Sequence, residues 1–157
     1  MPHLRFKRGP INFYLAATIS RQVRGVNSNL EDGNHVLFWD FDNSTLREVI
    51  DSLEEVSDRF GLPAIALLTT GAPKHWHAYC LTRCERREAQ AILGWTRGLD
   101  KMYQAFGILR GYWTLRFTPK GSRKIEHVLF VPGNTDQYWD VGWKELTSGS
   151  EYWTKQL

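Results

Sequence analysis

The sequence contains little cysteine and no long apolar segment. Cysteine occurs only as Cys80 and Cys84 among 157 residues, so no disulfide framework is expected. A zinc site is disfavoured because strand alternation turns Cys80 away from His77. There is no apolar run of membrane-spanning length, no signal peptide, no internal repeat and no low-complexity segment. These absences predict a globular domain without disulfides that does not enter a membrane.

Charge is modest in total but clustered along the chain. The net charge is +3 and the isoelectric point is about 8.9, which permits a polyanionic partner without requiring one. Basic residues group in four places, although a solvated surface is the favoured interpretation of any single group. These groups are Arg5, Lys7 and Arg8; Arg21 and Arg24; Arg83, Arg86 and Arg87; and Lys120, Arg123 and Lys124.

The order of predicted elements is typical of an α+β protein. Residues 1–157 are expected to form a single domain, with a core at about 35–131, a basic N-terminal arm at 1–10 and an aromatic tail at 132–157. The core pattern is βαββαβ, an RRM-like or ferredoxin-like arrangement in which two helices cover one face of an open antiparallel sheet. Residues 25–34 are rich in Gly and Asn and are expected to form a loop before the core. The expected elements of the core are a strand at 35–42, a helix at 45–60 that begins with the capping-box spacing of Thr45 and Glu48, strands at 64–70 and 75–81, a helix from 85 to about 97, a helix or irregular turn at 99–111, and strands at 112–120 and 125–131.

Two aspartates end the first core strand and give the main chemical signal. Asp40 and Asp42 share one face of the strand because side chains alternate. Paired carboxylates can hold Mg²⁺ or Mn²⁺ for phosphoryl transfer. In the alternative interpretation, Asp42 begins a turn with Asn43 and Asp40 pairs with a nearby arginine. The strongly apolar strand before Asp40 favours a functional carboxylate, since burying one without a positive partner is costly.

Two histidines begin the strand that follows the predicted hairpin turn. His75 and His77 lie on one face, with Trp76 on the other. They are candidates for contact with a nucleotide phosphate or a metal ion, and an exposed strand edge is the alternative.

Cations and one further carboxylate complete the candidate set. Arg116 lies on the polar face of an alternating strand, where its guanidinium can bind a triphosphate with help from Lys120 or Lys124. Asp100, after Leu99, is a candidate third carboxylate or an ordinary helix end. An exposed strand face explains the cations equally well.

Together these motifs resemble the catalytic core of the archaeo-eukaryotic primase superfamily, the primase–polymerases. That family has a strand that ends in Asp-x-Asp, a helix, a strand–turn–strand with Ser-x-His, a hydrophobic-Asp pair, and a strand with Leu-Arg followed by lysine. The corresponding positions are Asp40 and Asp42, His77, Asp100, and Arg116 with Lys120 or Lys124. The resemblance covers about residues 35–130, and His75 replaces the family's small residue.

The resemblance implies a template-directed nucleotidyltransferase that acts in DNA replication or priming. Asp40, Asp42 and Asp100 would bind Mg²⁺ or Mn²⁺, and His77 with Arg116 and a lysine would contact the incoming nucleotide. The implied partners are single-stranded DNA, nucleoside triphosphates and a helicase or other replication protein. The expected location is the cytoplasm or a host replication compartment.

Two alternative functions remain open on the sequence. His75-Trp76-His77 also fits rolling-circle initiators and relaxases with a histidine-hydrophobic-histidine motif, which need a tyrosine nucleophile. Tyr103 and Tyr152 are the candidates. The other alternative is a non-catalytic module that binds single-stranded nucleic acid through aromatic and basic side chains.

Overall fold

A computed structural model of the chain describes residues 3–8, 11–16, 21–118, 123–148 and 151–156, with side chains for 25–118, 123–142 and 144–146. The strands are β1 (His3–Arg8), β2 (Ile11–Ala16), β3 (Arg21–Asn27), β4 (His35–Asp42), β5 (Ile65–Thr69), β6 (His75–Cys84), β7 (Thr114–Arg116), β8 (Glu126–Val131) and β9 (Glu151–Gln156). The helices are α1 (Leu46–Phe60), α2 (Arg86–Trp95), α3 (Lys101–Arg110) and α4 (Trp143–Ser148). The predicted α+β class is therefore confirmed.

A four-stranded antiparallel sheet forms the centre of the molecule, in the order β4-β6-β5-β8. The predicted β5–β6 hairpin is confirmed, and β8, rather than the strand before it, supplies the fourth strand. Helices α1 and α2 cover one face. Their buried residues pack against Leu37, Trp39 and Phe41 of β4 in the larger hydrophobic core.

Helix α1 illustrates how local sequence fixes an element. The Thr45 side chain accepts a hydrogen bond from the Glu48 backbone N–H, and the Glu48 carboxylate accepts one from the Thr45 N–H. This reciprocal pair satisfies two donors at the helix start. At the other end, Gly61 adopts the left-handed conformation, with φ of 63°, which glycine reaches without strain.

The second face of the sheet is less open than expected. Strand β7 pairs with β3, and β3 pairs with β9, in a separate antiparallel sheet. Val26 of β3 and Leu115 of β7 join Val36 and Phe38 of β4 in a second hydrophobic core. Because β4 is apolar on both faces, both need cover, and within this strand only Asp40 and Asp42 are not buried.

Several boundaries differ from the sequence prediction. Residues 3–8 form β1, paired with β2, instead of a loose arm. The predicted loop at 25–34 begins with the last residues of β3, and among the described residues of the strand predicted at 112–120, Thr114–Arg116 form a strand.

The aromatic C-terminal stretch packs on the central sheet. Trp139 donates its indole N–H to the Ala64 carbonyl at 2.7 Å, and Val141 and Leu146 are buried. Within the described residues, none of the helices combines the length and apolar character needed to cross a lipid bilayer.

Candidate nucleotide-binding site

Strand pairing brings the two aspartates and the two histidines together. In the β4–β6 ladder, Asp40 lies opposite His77 and Asp42 lies opposite His75. The Asp40 Oδ1 is 3.6 Å from the His77 Nε2, and the Asp42 Oδ1 contacts the His75 Nδ1 in an ion-pair arrangement. The predicted shared face is therefore present.

The turns beside this end of the sheet are tied to each other. The Trp76 indole N–H donates to the Ser44 carbonyl at 2.9 Å, and the Ser44 N–H donates to the Lys74 carbonyl at 3.2 Å. Trp76 points into the helix-side core, opposite His75 and His77. These bonds fix the β4–α1 turn against the β5–β6 turn and so hold the four polar side chains in place.

Two arginines complete a cavity of about 230 Å³ above these side chains. We call it the His–Arg cavity. It is lined by Asp40, Asp42, Thr70, Ala72, His75, His77, Arg116 and Arg123.

One of the two lysines expected beside Arg116 is replaced by an arginine in the lining of the His–Arg cavity. Lys124 is exposed and is not a lining residue, whereas its neighbour Arg123 lines the cavity. The segment packs closely on the hairpin turn, since a Cβ at Gly71 would lie 2.8 Å from the Lys124 carbonyl oxygen. Lys120 lies outside the described residues.

Asp40 has the most perturbed carboxyl group in the site. Its pKa is raised from 3.8 to about 7, mainly by burial and in addition by the negative charges of Asp42 and Asp100, while the charges of His75 and Arg116 oppose the rise. The three predicted carboxylates therefore interact electrostatically. Such a shift in a cavity is typical of functional carboxylates.

His77 is perturbed in the opposite direction. Burial lowers its pKa from 6.5 to about 4, helped by the charges of Arg116 and His75. The imidazole is therefore neutral at physiological pH. Its Nδ1 is buried and has no hydrogen-bond partner among the described residues, so this residue of the cavity lining carries a buried polar atom without the partner that such atoms normally have.

Asp100 lies beside Asp40 but on another cavity. Its backbone N–H donates to the Asp40 carbonyl at 2.9 Å, and its side chain caps α3 by accepting a hydrogen bond from the Tyr103 N–H. Asp40 and Asp100 together border a second cavity of about 230 Å³. We call it the aromatic cavity because Tyr103, Phe106, Tyr112 and Trp113 line it.

The carboxylates suit a hard cation in chemistry but do not form a complete cage. Within the described part of the chain, no group of three His, Cys, Asp or Glu residues is placed to hold a metal ion. Asp40 and Asp42 supply the oxygen ligands that Mg²⁺ and Mn²⁺ prefer. Such sites commonly take one or two protein carboxylates and fill the remaining positions with water and substrate phosphate.

Tyr103 is poorly suited to act as a nucleophile. Its hydroxyl donates a hydrogen bond to the Phe38 carbonyl at 3.1 Å, and burial raises its pKa well above the ordinary value. Deprotonation for attack is therefore unfavourable. Tyr152 lies in β9, and its side chain is outside the described set.

Two polar residues that line the His–Arg cavity were not singled out as candidates from the sequence. Thr70 donates its hydroxyl to the His75 carbonyl at 3.2 Å, and its place at the end of a predicted strand was the available signal. Arg123 was recognised only as part of a basic cluster.

Comparisons with protein-family models, curated proteins and solved structures find no match for this chain.

Proposed function

We propose that the protein is a metal-dependent nucleotidyltransferase of the primase–polymerase type that joins nucleotides from nucleoside triphosphates on a single-stranded template. The observation that carries the proposal is the His–Arg cavity, where paired carboxylates, imidazoles and two guanidinium groups border one space. Each group has a task in phosphoryl transfer, and a surface of scattered charges would not gather them.

The two arginines suit the triphosphate. Arg116 reaches the cavity from β7 and Arg123 from the segment before β8. Guanidinium groups bind phosphate oxygens through paired, charge-assisted hydrogen bonds. Their arrival from separate segments lets them contact different phosphate groups of one triphosphate.

His77 suits a directed contact with the same ligand. Its low pKa, about 4, keeps the ring neutral, with one nitrogen protonated. The ring lines the cavity, and its Nε2 lies 3.6 Å from the Asp40 Oδ1. A contact from this ring to a phosphate oxygen would orient the phosphate at little entropic cost.

The carboxylates suit the reacting end. Asp40 and Asp42 would hold a divalent cation, with the charge of Asp100 nearby. When bound, the ion supplies charge stabilisation to the attacking and leaving oxygens. The raised pKa of Asp40 reflects burial together with repulsion from Asp42 and Asp100, and a bound cation would relieve that repulsion.

A nucleotide-incorporation assay tests the proposal. The full chain is incubated with a labelled primer on a single-stranded template, nucleoside triphosphates and Mg²⁺ or Mn²⁺. We expect incorporation by wild type and loss of at least about a hundredfold in Asp40→Ala and Asp42→Ala. Glu54→Ala, which removes an exposed carboxylate of α1 on the helical side, is the matched control and should retain activity.

Two outcomes would contradict the proposal. Binding of single strands without incorporation under any metal condition would indicate a binding module. A covalent protein–DNA adduct that disappears in Tyr103→Phe or Tyr152→Phe would indicate an endonuclease that acts through a tyrosine nucleophile.

A further inference from the structure

Asp40 separates two cavities of equal size. It borders the His–Arg cavity and also the aromatic cavity, each about 230 Å³. The chemistry of the two is different: the first is rich in histidine and arginine, and the second in aromatic rings. A single carboxylate at the boundary of two such cavities indicates two ligands that meet at one reacting point.

The aromatic cavity has a rigid inner wall. Trp113 is 1% exposed, and its backbone N–H donates to the Ser28 hydroxyl at 3.0 Å. Its ring packs against α3 at Gly107, where an added Cβ would lie 2.1 Å from the indole Nε1. This nitrogen is buried and has no hydrogen-bond partner among the described residues.

The outer wall is aromatic, basic and exposed. Phe106 is 45% exposed, which is unusual for a ring that merely fills a core. The Arg110 guanidinium lies over it, 5.3 Å from the ring centroid. Tyr112 is half-buried at the same cavity. Stacking surfaces beside a cation are the features that bind single-stranded nucleic acid.

We propose that the aromatic cavity binds the terminal nucleotide of the strand whose hydroxyl group attacks the incoming triphosphate. This inference rests on the proposed function. In phosphoryl transfer, the attacking and leaving oxygens lie on opposite sides of the phosphorus, roughly in line. The hydroxyl group that attacks a triphosphate in the His–Arg cavity must therefore approach from another side of Asp40. The aromatic cavity lies on such a side.

The step balances without a further reactant. The terminal hydroxyl oxygen forms a bond to the α-phosphorus, the bond from that phosphorus to the bridging oxygen breaks, and pyrophosphate leaves with the electron pair. The hydroxyl proton passes to solvent or to a nearby carboxylate. In the aromatic cavity, the terminal base stacks on Phe106 or Tyr112, and Arg110 contacts the strand's phosphate backbone.

Steady-state kinetics on surface variants test the inference. Phe106→Ala, Phe106→Leu and Arg110→Ala are compared with Leu109→Ala, a neighbouring exposed position of α3 that does not line the cavity. We expect the first three to raise the KM for the primer by about tenfold or more, since loss of one stacking or phosphate contact has effects of that order. The KM for the nucleoside triphosphate should be unchanged, and Leu109→Ala should match wild type in both.

Unchanged primer KM in all three cavity variants would overturn the inference, although the proposed function would stand. An equal effect of Leu109→Ala would also overturn it, because that result points to a general contribution of the exposed α3 surface and not to the aromatic cavity. Circular dichroism and thermal unfolding of each variant exclude loss of folding as the cause.

A wild-type protein that incorporates no nucleotide would refute the proposed function by itself. The cavity is then judged by fluorescence anisotropy with a labelled single-stranded oligonucleotide. Weakened binding in Phe106→Ala and Arg110→Ala, but not in Leu109→Ala, supports a strand-binding cavity. Equal affinity in all variants overturns it.

Discussion

Asp40 and His77 lie opposite each other in the β4–β6 ladder, with the carboxylate Oδ1 3.6 Å from the imidazole Nε2. Their pKa values shift in opposite directions and exchange order, from 3.8 to about 7 for Asp40 and from 6.5 to about 4 for His77. Between these values, both side chains are neutral in the folded protein. The pair is therefore different from an ordinary aspartate–histidine ion pair, since burial outweighs the mutual attraction of the charged forms.

The first prediction concerns the stability of Asp40 variants as a function of pH. Because the folded-state pKa of Asp40 is raised from 3.8 to about 7, the folded protein binds more protons than the unfolded chain in this range. The contribution of Asp40 to stability is complete below 3.8 and is lost as pH rises through about 7. We expect the free energy of unfolding of wild type to fall relative to Asp40→Asn over that interval.

Denaturant titrations in a chelating buffer, in steps from about pH 4 to about pH 8, measure this difference. Asp58→Asn, at an exposed aspartate of α1, serves as the control and should run parallel to wild type. If the free energies of unfolding of wild type and Asp40→Asn differ by the same amount at every pH, folding does not shift the pKa of Asp40.

The second prediction has the opposite sign and concerns His77. Its folded-state pKa is lowered from 6.5 to about 4, so the unfolded chain binds the extra proton first as pH falls. The stability due to the neutral, buried ring is present above 6.5 and is lost as pH falls through about 4. We expect His77→Gln to lose less stability than wild type over this interval. His127→Gln, at an exposed histidine of β8, should keep the wild-type profile, and the same titrations decide the question.

The half of the site that was predicted from sequence depends on short-range patterns. Because side chains alternate along a strand, Asp40 and Asp42 are predicted to share one face of their strand. His75 and His77 are predicted in the same way to share one face of theirs. The capping pair of Thr45 and Glu48 fixed the start of α1. These features need only neighbours along the chain or a hairpin of a few residues, so local sequence is sufficient to specify them.

The remainder depends on which distant segments meet. The Gly- and Asn-rich composition of residues 25–34 predicts a loop that includes Gly25. This residue instead lies in β3, where an added Cβ would be 2.8 Å from the Leu115 carbonyl oxygen. Its lack of a side chain permits close approach of β7, and no local pattern reveals that partner. For the same reason, sequence could not decide between Arg123 and Lys124, since the packing of the segment on Gly71 determines which cation faces the cavity.

The third prediction concerns divalent cations. If Asp40 and Asp42 bind Mg²⁺ or Mn²⁺ in the folded state alone, the ion stabilises the fold by mass action, by about 2.7 kcal/mol at a hundred times its Kd. We expect Mn²⁺ to raise the Tm of wild type and to have a much smaller effect on Asp42→Ala. Differential scanning calorimetry with and without a chelator measures the shift. Glu54→Ala, which loses an exposed carboxylate elsewhere, is the control. If Mn²⁺ raises the Tm of Glu54→Ala as little as it raises that of Asp42→Ala, a specific site is refuted.

The fourth prediction separates the cations that face the His–Arg cavity from their neighbour in sequence. Arg116 and Arg123 line the cavity, whereas Lys124 is exposed outside it. We expect Arg116→Ala and Arg123→Ala each to raise the KM or Kd for a nucleoside triphosphate by about 10- to 100-fold, since a hydrogen bond between charged groups contributes about 1.5–3 kcal/mol. Lys124→Ala removes the same charge one residue away and should change binding by less than about threefold, the scale of a solvent-screened surface charge.

Isothermal titration calorimetry with a non-hydrolysable triphosphate measures these affinities without requiring turnover. The comparison between Arg123→Ala and Lys124→Ala is the most discriminating one. The two variants have the same net charge, but only Arg123→Ala removes a side chain that lines the cavity. Equal losses in both would mean that the ligand responds to the general positive field of this segment. A selective loss in Arg123→Ala would instead require a guanidinium contact made inside the cavity, on the same phosphate ligand that Arg116 approaches from β7.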